Sequence, residues 1–237
     1  MCSSDLPSPS PVKPETEVAA RGSAGVLAAG AVSLAGVLGL LLAEGRWEPL
    51  ERLDTGVAGS LHRAVLGHPD AVRALRLVET ALQPNAFRLL IAVVAGLLWV
   101  SGRRRLAVWS AVVTALGGLL GLLMKIAVAR VRPVLPDPVA VAGGYSFPSG
   151  HALNSALCCG ILLVVLAETG SRWLRPAMLA AAVVVLGIGL DRVALGVHFV
   201  SDVVAGWFVA GAVVFGGLLA VGPWRLKFRR RVRGDRP

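Results

Sequence analysis

The main feature of the chain is a series of apolar blocks separated by polar segments. Six blocks contain no Asp, Glu, Lys or Arg, and they span Ala24–Ala43, Leu89–Val100, Leu106–Met124, Ala152–Ala167, Ala177–Leu190 and Val203–Gly222. Alone or with flanking residues, they approach the ~20 residues that a helix needs to cross a ~30 Å hydrocarbon core. The blocks lack the alternation of apolar and polar residues that is typical of a membrane-spanning β-strand. The pattern predicts an all-α fold, a polytopic membrane bundle of six transmembrane helices.

The polar segment 44–85 has a different pattern. Leu50, Leu53, Val57 and Leu61 recur there at helical spacing between charged residues. This spacing predicts one or two amphipathic helices that lie on the membrane surface or cap the bundle. We interpret His62 and His68, in the same segment, as surface polar residues.

Composition supports a membrane protein, and the distribution of charge orients it. Hydrophobic residues make up 55% of the chain and charged residues 16%, with mean hydropathy +0.71, which excludes a disordered chain. Of the 24 Lys and Arg, 14 lie in segments on the side of the N-terminus and 8 in segments on the other side. Cytoplasmic loops carry the excess of Lys and Arg, so this count predicts that both termini are cytoplasmic. We expect the membrane to be a bacterial-type plasma membrane.

Three parts follow from this arrangement. We expect a disordered cytoplasmic tail at 1–21, a transmembrane domain at 22–222 and a basic cytoplasmic tail at 223–237. The basic tail follows a membrane span directly, so we expect it to contact anionic lipid head groups and not nucleic acid. The sequence leaves the oligomeric state open.

Ionisable residues concentrate at the outer ends of the last four blocks. They are Lys125, Arg132, His151, Arg192, His198 and Asp202. Such residues are costly in a membrane and usually face a cavity or a partner. Lys125 and Arg132 are seven apart and would share a face of a helix that continues to Pro133. His198 and Asp202 are four apart, so the carboxylate can orient the imidazole.

The tetrapeptide Pro148-Ser149-Gly150-His151 comes directly before the fourth block. A Ser followed by Gly at a helix start offers a hydroxyl, backbone N–H groups and the positive end of the helix dipole to an anion. Together with the cations and two histidines, this predicts a phosphate pocket with acid–base chemistry. Arg and Lys would neutralise the phosphoryl oxygens, one His would attack phosphorus, and the other would protonate the departing oxygen.

Three motifs in this order resemble those of the type 2 phosphatidic acid phosphatase (PAP2) family, which shares its core with vanadium haloperoxidases. Lys125 to Pro133 matches K-x6-R-P, Pro148 to His151 matches P-S-G-H, and Arg192-x5-His198-x3-Asp202 matches most of S-R-x5-H-x3-D. The resemblance covers roughly residues 45–222. It implies phosphate binding by Lys125, Arg132 and Arg192, with hydrogen bonds from Ser149 and Gly150. It also implies that His151 is the general acid, His198 the nucleophile and Asp202 its orienting partner, with no metal or cofactor.

One position departs from the family pattern. Asp191 stands where the third motif begins with Ser, and a carboxylate there would repel an incoming phosphate unless Arg192 or a water compensated it. Neighbouring helical residues differ in direction by about 100°. We therefore expect Asp191 to point away from the pocket, and we leave it out of the site.

The resemblance implies a phosphorylated membrane lipid as substrate, presented at the extracytoplasmic face. We favour undecaprenyl or another polyprenyl diphosphate, followed by phosphatidylglycerol phosphate and phosphatidic acid. A phosphotransferase would use the same residues. A carrier or lipid-binding protein with an anion pocket is the hypothesis from another class, although binding alone does not require two histidines. The haloperoxidase activity is disfavoured because it belongs to soluble relatives.

Overall fold

The computed structural model describes residues 15–220, with side chains described from Ala24 onward. Within this range the chain is all-helical, which confirms the predicted fold class. The helices are α1 (Glu15–Ala43), α2 (Glu48–Leu66), α3 (Pro69–Ala81), α4 (Pro84–Val100), α5 (Arg104–Val128), α6 (Gly150–Glu168), α7 (Leu174–Ala194) and α8 (Val200–Ala220). Residues 15–21, which we assigned to the disordered tail, are helical. The rest of that tail, at 1–14, and the basic tail lie outside the described residues.

Most of the helices can cross a membrane. Five of them, α1, α5, α6, α7 and α8, are long and apolar enough to do so. The pair α3 and α4 adds a sixth candidate if it counts as one span, bent by 41° at the junction. Large apolar side chains such as Leu89, Leu119 and Val183 point outward and are more than half exposed, as expected for a surface that faces lipid. The chain is therefore a multi-pass membrane protein.

Helix α8 is the centre of the bundle and packs against α1, α2, α5, α6 and α7. Its contact with α6 is close because Gly206 has no side chain. A Cβ at Gly206 would lie 2.9 Å from the carbonyl oxygen of Ser149 and 2.9 Å from the backbone nitrogen of Leu153. This approach lets the backbone N–H of Ser149 donate a 2.9 Å hydrogen bond to the carbonyl of Asp202, which ties the first turns of the two helices together.

The helices α2 and α3 lie at the end of the bundle where α5 and α7 end and α6 and α8 begin. The segment contains two helices, and the expected apolar stripe of α2 is partly buried, because Val57 and Leu61 pack against the core whereas Leu53 is 49% exposed. The fully buried positions of α2 are Asp54, Ala58, Gly59 and His62. The interpretation of His62 as a surface residue is wrong, because its Nε2 lies 2.9 Å from the carbonyl of Pro136 and the side chain is buried. His68 is exposed, directly before α3.

Candidate active site

Two cations converge on the loop formed by residues 129–149. The Nζ of Lys125 donates a 2.6 Å hydrogen bond to the carbonyl of Tyr145. Arg132 donates to the same carbonyl at 3.3 Å and to two further carbonyls of the loop at 3.0 Å. The expectation of a shared helix face is wrong, because α5 ends at Val128 and the next residue has a left-handed φ of 50°. The fold of the loop, and not helical periodicity, brings the two cations together.

His198 lies in the turn between α7 and α8 and is almost fully buried. Its Nε2 lies 3.2 Å from Nη1 of Arg132, and its Nδ1 lies 3.4 Å from Oδ2 of Asp202. A guanidinium can only donate, so Nε2 must accept and the ring proton must be on Nδ1, facing the carboxylate. The spacing of four residues does bring the His and the Asp together, although α8 begins only at Val200.

The surroundings of His198 favour its neutral form. Burial lowers the pKa of this imidazole to about 4, and the positive charges of Arg132 and Lys125 act in the same direction, against the opposing effect of Asp202. An unperturbed histidine has a pKa of about 6.5. At neutral pH, the ring of His198 is therefore neutral, and its Nε2 lone pair points at the guanidinium of Arg132.

This shift predicts how His198 responds to pH. Because its folded-state pKa lies below the unfolded value, its contribution to stability is complete above about pH 6.5 and is lost as the pH falls toward 4. We expect the imidazole resonance of His198, in ¹³C-histidine NMR spectra of the protein in micelles, to titrate near 4. The resonance is identified by its absence from His198→Gln. A midpoint at 6.5 would contradict the buried, neutral state.

The carboxylate of Asp202 is fixed on both of its oxygens. Oδ1 accepts a 2.8 Å hydrogen bond from Nη1 of Arg130. Oδ2 accepts from the hydroxyl of Ser146 and, at 2.8 Å, from the backbone N–H of Phe199. The bond to Phe199 reaches back from the first turn of α8 to the residue before the helix, as in a capping box. Asp202 thus caps its own helix and faces His198 at the same time.

Arg130 joins Asp202 to two other parts of the chain. Its guanidinium lies 2.8 Å from Glu44, which follows α1, and 2.9 Å from Asp54 of α2, in addition to Asp202 of α8. Asp54 in turn accepts from the backbone N–H and the hydroxyl of Ser201. The Arg130 side chain is 11% exposed, so three carboxylates and one cation form a largely buried network directly behind His198.

Sequence reasoning missed this network. Arg130 lies within the first motif, but the motif pattern leaves its position unspecified. Asp54 carried a weak signal, because it is a charged residue within the apolar stripe of an amphipathic helix. Neither signal identifies a partner that is more than seventy positions away along the chain.

The network makes Arg130 important for stability. Removing one partner of a buried ion pair leaves uncompensated charge and typically costs about 3–5 kcal/mol. We therefore expect Arg130→Gln to lower the free energy of unfolding in detergent by about that amount. Arg52→Gln is the matched control, because Arg52 pairs with Glu48 on the surface of α2, where both side chains are more than 70% exposed. Equal stability of the two variants would show that the network contributes nothing.

The P-S-G-H segment forms the start of α6. Ser149 is the N-cap, and its hydroxyl oxygen lies 3.5 Å from the backbone nitrogen of Ala152. Gly150 is the first helical residue and His151 the second. The ring of His151 contacts the backbone of Glu79 on α3, and its Nε2 is buried without a hydrogen-bond partner among the described residues. The positive end of the α6 dipole therefore lies beside an imidazole with one unoccupied nitrogen.

Arg192 lies in the last turn of α7 and is 1% exposed. Its Nε and Nη2 donate to Oδ2 of Asp191, and its Nη1 donates to Oε1 of Glu79 at 2.7 Å. The expectation that Asp191 points away from the pocket is wrong, because this carboxylate folds back onto the guanidinium of the adjacent residue. Glu79 is a further residue that sequence reasoning missed.

These side chains form one cluster at one end of the bundle. It combines three cations of the kind that binds phosphate with two histidines, of which His198 is neutral and oriented. The cations are Lys125, Arg132 and Arg192, and the second histidine is His151. Such a cluster can hold an oxyanion beside a nucleophilic nitrogen and can supply a proton to a leaving group. Among residues 15–220, no group of three or more His, Cys, Asp or Glu is arranged to hold a metal ion.

Two curated proteins with named activities are similar to this chain. Phosphatidylglycerophosphatase B of Bacillus subtilis (strain 168) is 35% identical over 100 residues, which are 41% of this chain and 48% of that protein. Undecaprenyl-diphosphatase of Sulfolobus acidocaldarius is 30% identical over 134 residues, which are 53% of this chain and 60% of that protein. The matched region thus spans about half the length of these curated relatives.

The fold and the family are supported separately. The crystal structure of a transmembrane PAP2 type phosphatidylglycerolphosphate phosphatase from Bacillus subtilis superposes with a TM-score of 0.68. The match covers 78% of this chain and 92% of that one at 22% identity, which shows a shared fold. The sequence profile of the PAP2 superfamily matches residues 106–226, just over half of the chain and the part that carries all three motifs. The chain therefore belongs to the PAP2 superfamily.

Proposed function

We propose that this protein is an integral membrane phosphatase that removes phosphate from a phosphomonoester or diphosphate of a membrane lipid, without a metal ion. One observation carries the proposal. The neutral imidazole of His198 presents the Nε2 lone pair to Arg132, while its Nδ1–H faces Asp202. A phosphoryl group held by Arg132 would lie next to a nitrogen prepared to attack it.

The reaction that we infer has two steps. Lys125, Arg132 and Arg192 hold the phosphoryl oxygens, supported by Ser149 and Gly150 at the start of α6. Nε2 of His198 forms a bond to phosphorus, the phosphorus–oxygen bond to the lipid breaks, and the departing oxygen takes a proton from Nε2 of His151. A water that gives its proton to His151 then attacks the phosphohistidine and releases phosphate. Asp202 holds the His198 ring and stabilises the positive charge that develops on it.

The names of the relatives suggest two classes of substrate. One is named for phosphatidylglycerophosphate, a lipid phosphomonoester, and the other for undecaprenyl diphosphate. We propose a polyprenyl diphosphate as the first candidate, then phosphatidylglycerol phosphate and phosphatidic acid. All three place the reacting phosphate at the membrane surface, at the level of this end of the bundle.

Release of phosphate from these lipids by detergent-purified protein, with and without EDTA, tests the proposal. We expect the release of phosphate to persist in EDTA. We also expect Asp202→Asn to slow this release with little change in KM, because the carboxylate orients His198 and does not bind substrate. Binding of lipid phosphates without any release would favour a carrier. Transfer of phosphate to an added sugar or lipid alcohol in preference to water would favour a phosphotransferase.

We also propose that the site faces the extracytoplasmic side and that both termini are cytoplasmic, from the distribution of Lys and Arg. Val141 lies in the loop 129–149 and is 91% exposed, whereas Ser101 lies at the opposite end of the bundle and is also exposed. In a background without native cysteines, Val141→Cys should react with an impermeant thiol reagent on intact cells, and Ser101→Cys should react only after lysis. The opposite labelling would reverse the orientation.

A further inference from the structure

Arg88 is a cation outside the cluster described above, and it is the only charged residue in the sequence of α4. Its guanidinium lies across the two neighbouring helices. Nε donates a 3.1 Å hydrogen bond to the side-chain oxygen of Asn154 on α6, and Nη2 lies 3.7 Å from the position that a Cβ would take on Gly118 of α5. The side chain is exposed. Arg88 is therefore an accessible cation on the surface that α4, α5 and α6 share.

The charge of Arg88 is not compensated by a carboxylate within residues 24–220. Its other hydrogen bond, from Nη1 at 3.3 Å, goes to the neutral side-chain oxygen of Asn85, and Nη2 has no hydrogen bond in that part of the chain. By contrast, Arg130 and Arg192 each pair with at least two carboxylates. A cation in a membrane span is costly unless it is paired. The protein thus orients Arg88 and leaves its charge available to an anion.

Arg88 lies close to the active site and deeper in the bundle. The first turns of α4 and α6 are neighbours, since Pro84 lies 3.8 Å from the position of a Cβ on Gly150. Asn154, which holds Arg88, donates a 2.8 Å hydrogen bond to the carbonyl of Gly150. It follows His151 by three residues, which is about 4.5 Å along the axis of α6. The lipid part of a substrate must run from the site into the hydrocarbon, so it passes the level of Arg88.

We propose that Arg88 is a specificity-determining residue that binds a second phosphate, located in the leaving group of the substrate. This inference rests on the proposed lipid phosphatase function. The cations of the site hold the phosphoryl group that is removed, and Arg88 contacts the phosphate that stays on the lipid. A polyprenyl diphosphate carries this phosphate directly on the leaving oxygen, and phosphatidylglycerol phosphate carries it as a phosphodiester beyond the glycerol. Phosphatidic acid carries none.

The selection arises because only some lipids can make this contact. A guanidinium holds phosphate oxygens by charge-assisted hydrogen bonds, which are stronger than neutral ones. A lipid whose leaving group is an uncharged alcohol can occupy the same active site but gains nothing from Arg88. The ordinary role of an arginine near the end of a span is to reach the head-group region and anchor the helix. Such an anchor would affect every substrate equally.

Two pairs of substrates test the inference, because the members of each pair share a lipid tail. They are geranylgeranyl diphosphate with geranylgeranyl phosphate, and phosphatidylglycerol phosphate with phosphatidic acid. We expect Arg88→Gln to lower kcat/KM about tenfold for the members that keep a phosphate on the leaving group, the size of one charge-assisted hydrogen bond. The values for the other two lipids should be nearly unchanged. Arg88→Lys keeps the charge at this position and should show the same selective loss at a smaller size.

Arg63→Gln is the matched control. Arg63 is exposed on α2 at the same end of the bundle and donates to the neighbouring Ser60, so its substitution removes the same charge away from α4 and α6. We expect both substrate ratios to stay as in the wild type. A selective loss in only one pair would support the second-phosphate site and identify its source as the diphosphate or the phosphodiester. Equal losses with all four lipids would overturn the selection and leave Arg88 as a structural anchor.

Binding without turnover separates this inference from the proposed activity. The probes are geranylgeranyl methylenediphosphonate and geranylgeranyl phosphonate, which cannot be hydrolysed at the carbon–phosphorus bonds, titrated by calorimetry in micelles. We expect Arg88→Gln to raise the Kd of the diphosphonate about tenfold and to leave that of the phosphonate nearly unchanged. This result in a protein that hydrolyses none of the four lipids would keep the second-phosphate site and remove the phosphatase. An equal effect on both probes would overturn the role of Arg88 whatever the activity.

Discussion

Replacing His198 by alanine is expected to abolish turnover, with a loss of at least about 10⁴-fold in kcat, because the substitution removes the proposed nucleophile. The lone pair of its Nε2 points at the guanidinium of Arg132, and its Nδ1 lies 3.4 Å from the carboxylate of Asp202. The fold should survive, since the turn between α7 and α8 is closed by backbone hydrogen bonds as well.

Trapping the covalent intermediate gives the decisive measurement for His198. The wild type is mixed with a ³²P-labelled lipid substrate and quenched in base, where phosphohistidine survives and phosphoserine is progressively lost. Label should appear on His198 and should be absent from His198→Ala, while Asp202→Asn should form it more slowly. Label on His151 would exchange the roles of the two histidines. An active His198→Ala enzyme would end this mechanism.

The second large effect is expected for His151→Ala, and its size should depend on the leaving group. General acid catalysis is typically worth 10²–10⁴-fold in rate. Phosphatidic acid loses an alkoxide, which needs the proton, so its hydrolysis should fall through most of that range. A polyprenyl diphosphate loses a phosphate ester that is already a stabilised anion, so its hydrolysis should fall much less.

The comparison of these two substrates checks the role of His151. The unpartnered Nε2 of its ring is the atom that would give the proton to the leaving oxygen. The first turnover of each substrate is followed by rapid quench, because only the first step requires this proton from His151. Equal losses with both substrates would indicate that His151 binds the phosphate or supports the fold, and does not act as the acid.

Much of the architecture could be predicted from local patterns. The first five apolar blocks each lie within one helix, and the sixth coincides with α8 up to the end of that helix at Ala220. The polar segment between the first two blocks forms α2 and α3. These features follow from short-range properties, namely the length of apolar runs and the positions of proline and glycine. The helix boundaries near the site differ from the expected ones, since α5 ends before Arg132 and α8 begins after His198.

The partners of the site residues could not be predicted in the same way. Arg130 meets Asp54 and Asp202, and Glu79 meets Arg192, across 72 to 113 positions of the chain. Periodicity relates residues a few positions apart, so it carries no information on such pairs. The burial of His62 against Pro136 has the same origin, because it depends on how α2 packs over the loop 129–149.

Local features of the chain are enough to identify a helical membrane bundle with PAP2 motifs, because the length of apolar runs and the spacing of motifs are short-range properties. The environment of each site residue comes from the packing of the helices. It placed the lone pair of His198 beside Arg132, assembled three carboxylates around Arg130 and covered Arg192 with Asp191 and Glu79. Burial and electrostatics depend on which distant segments meet in space, and only the packed bundle brings those segments together.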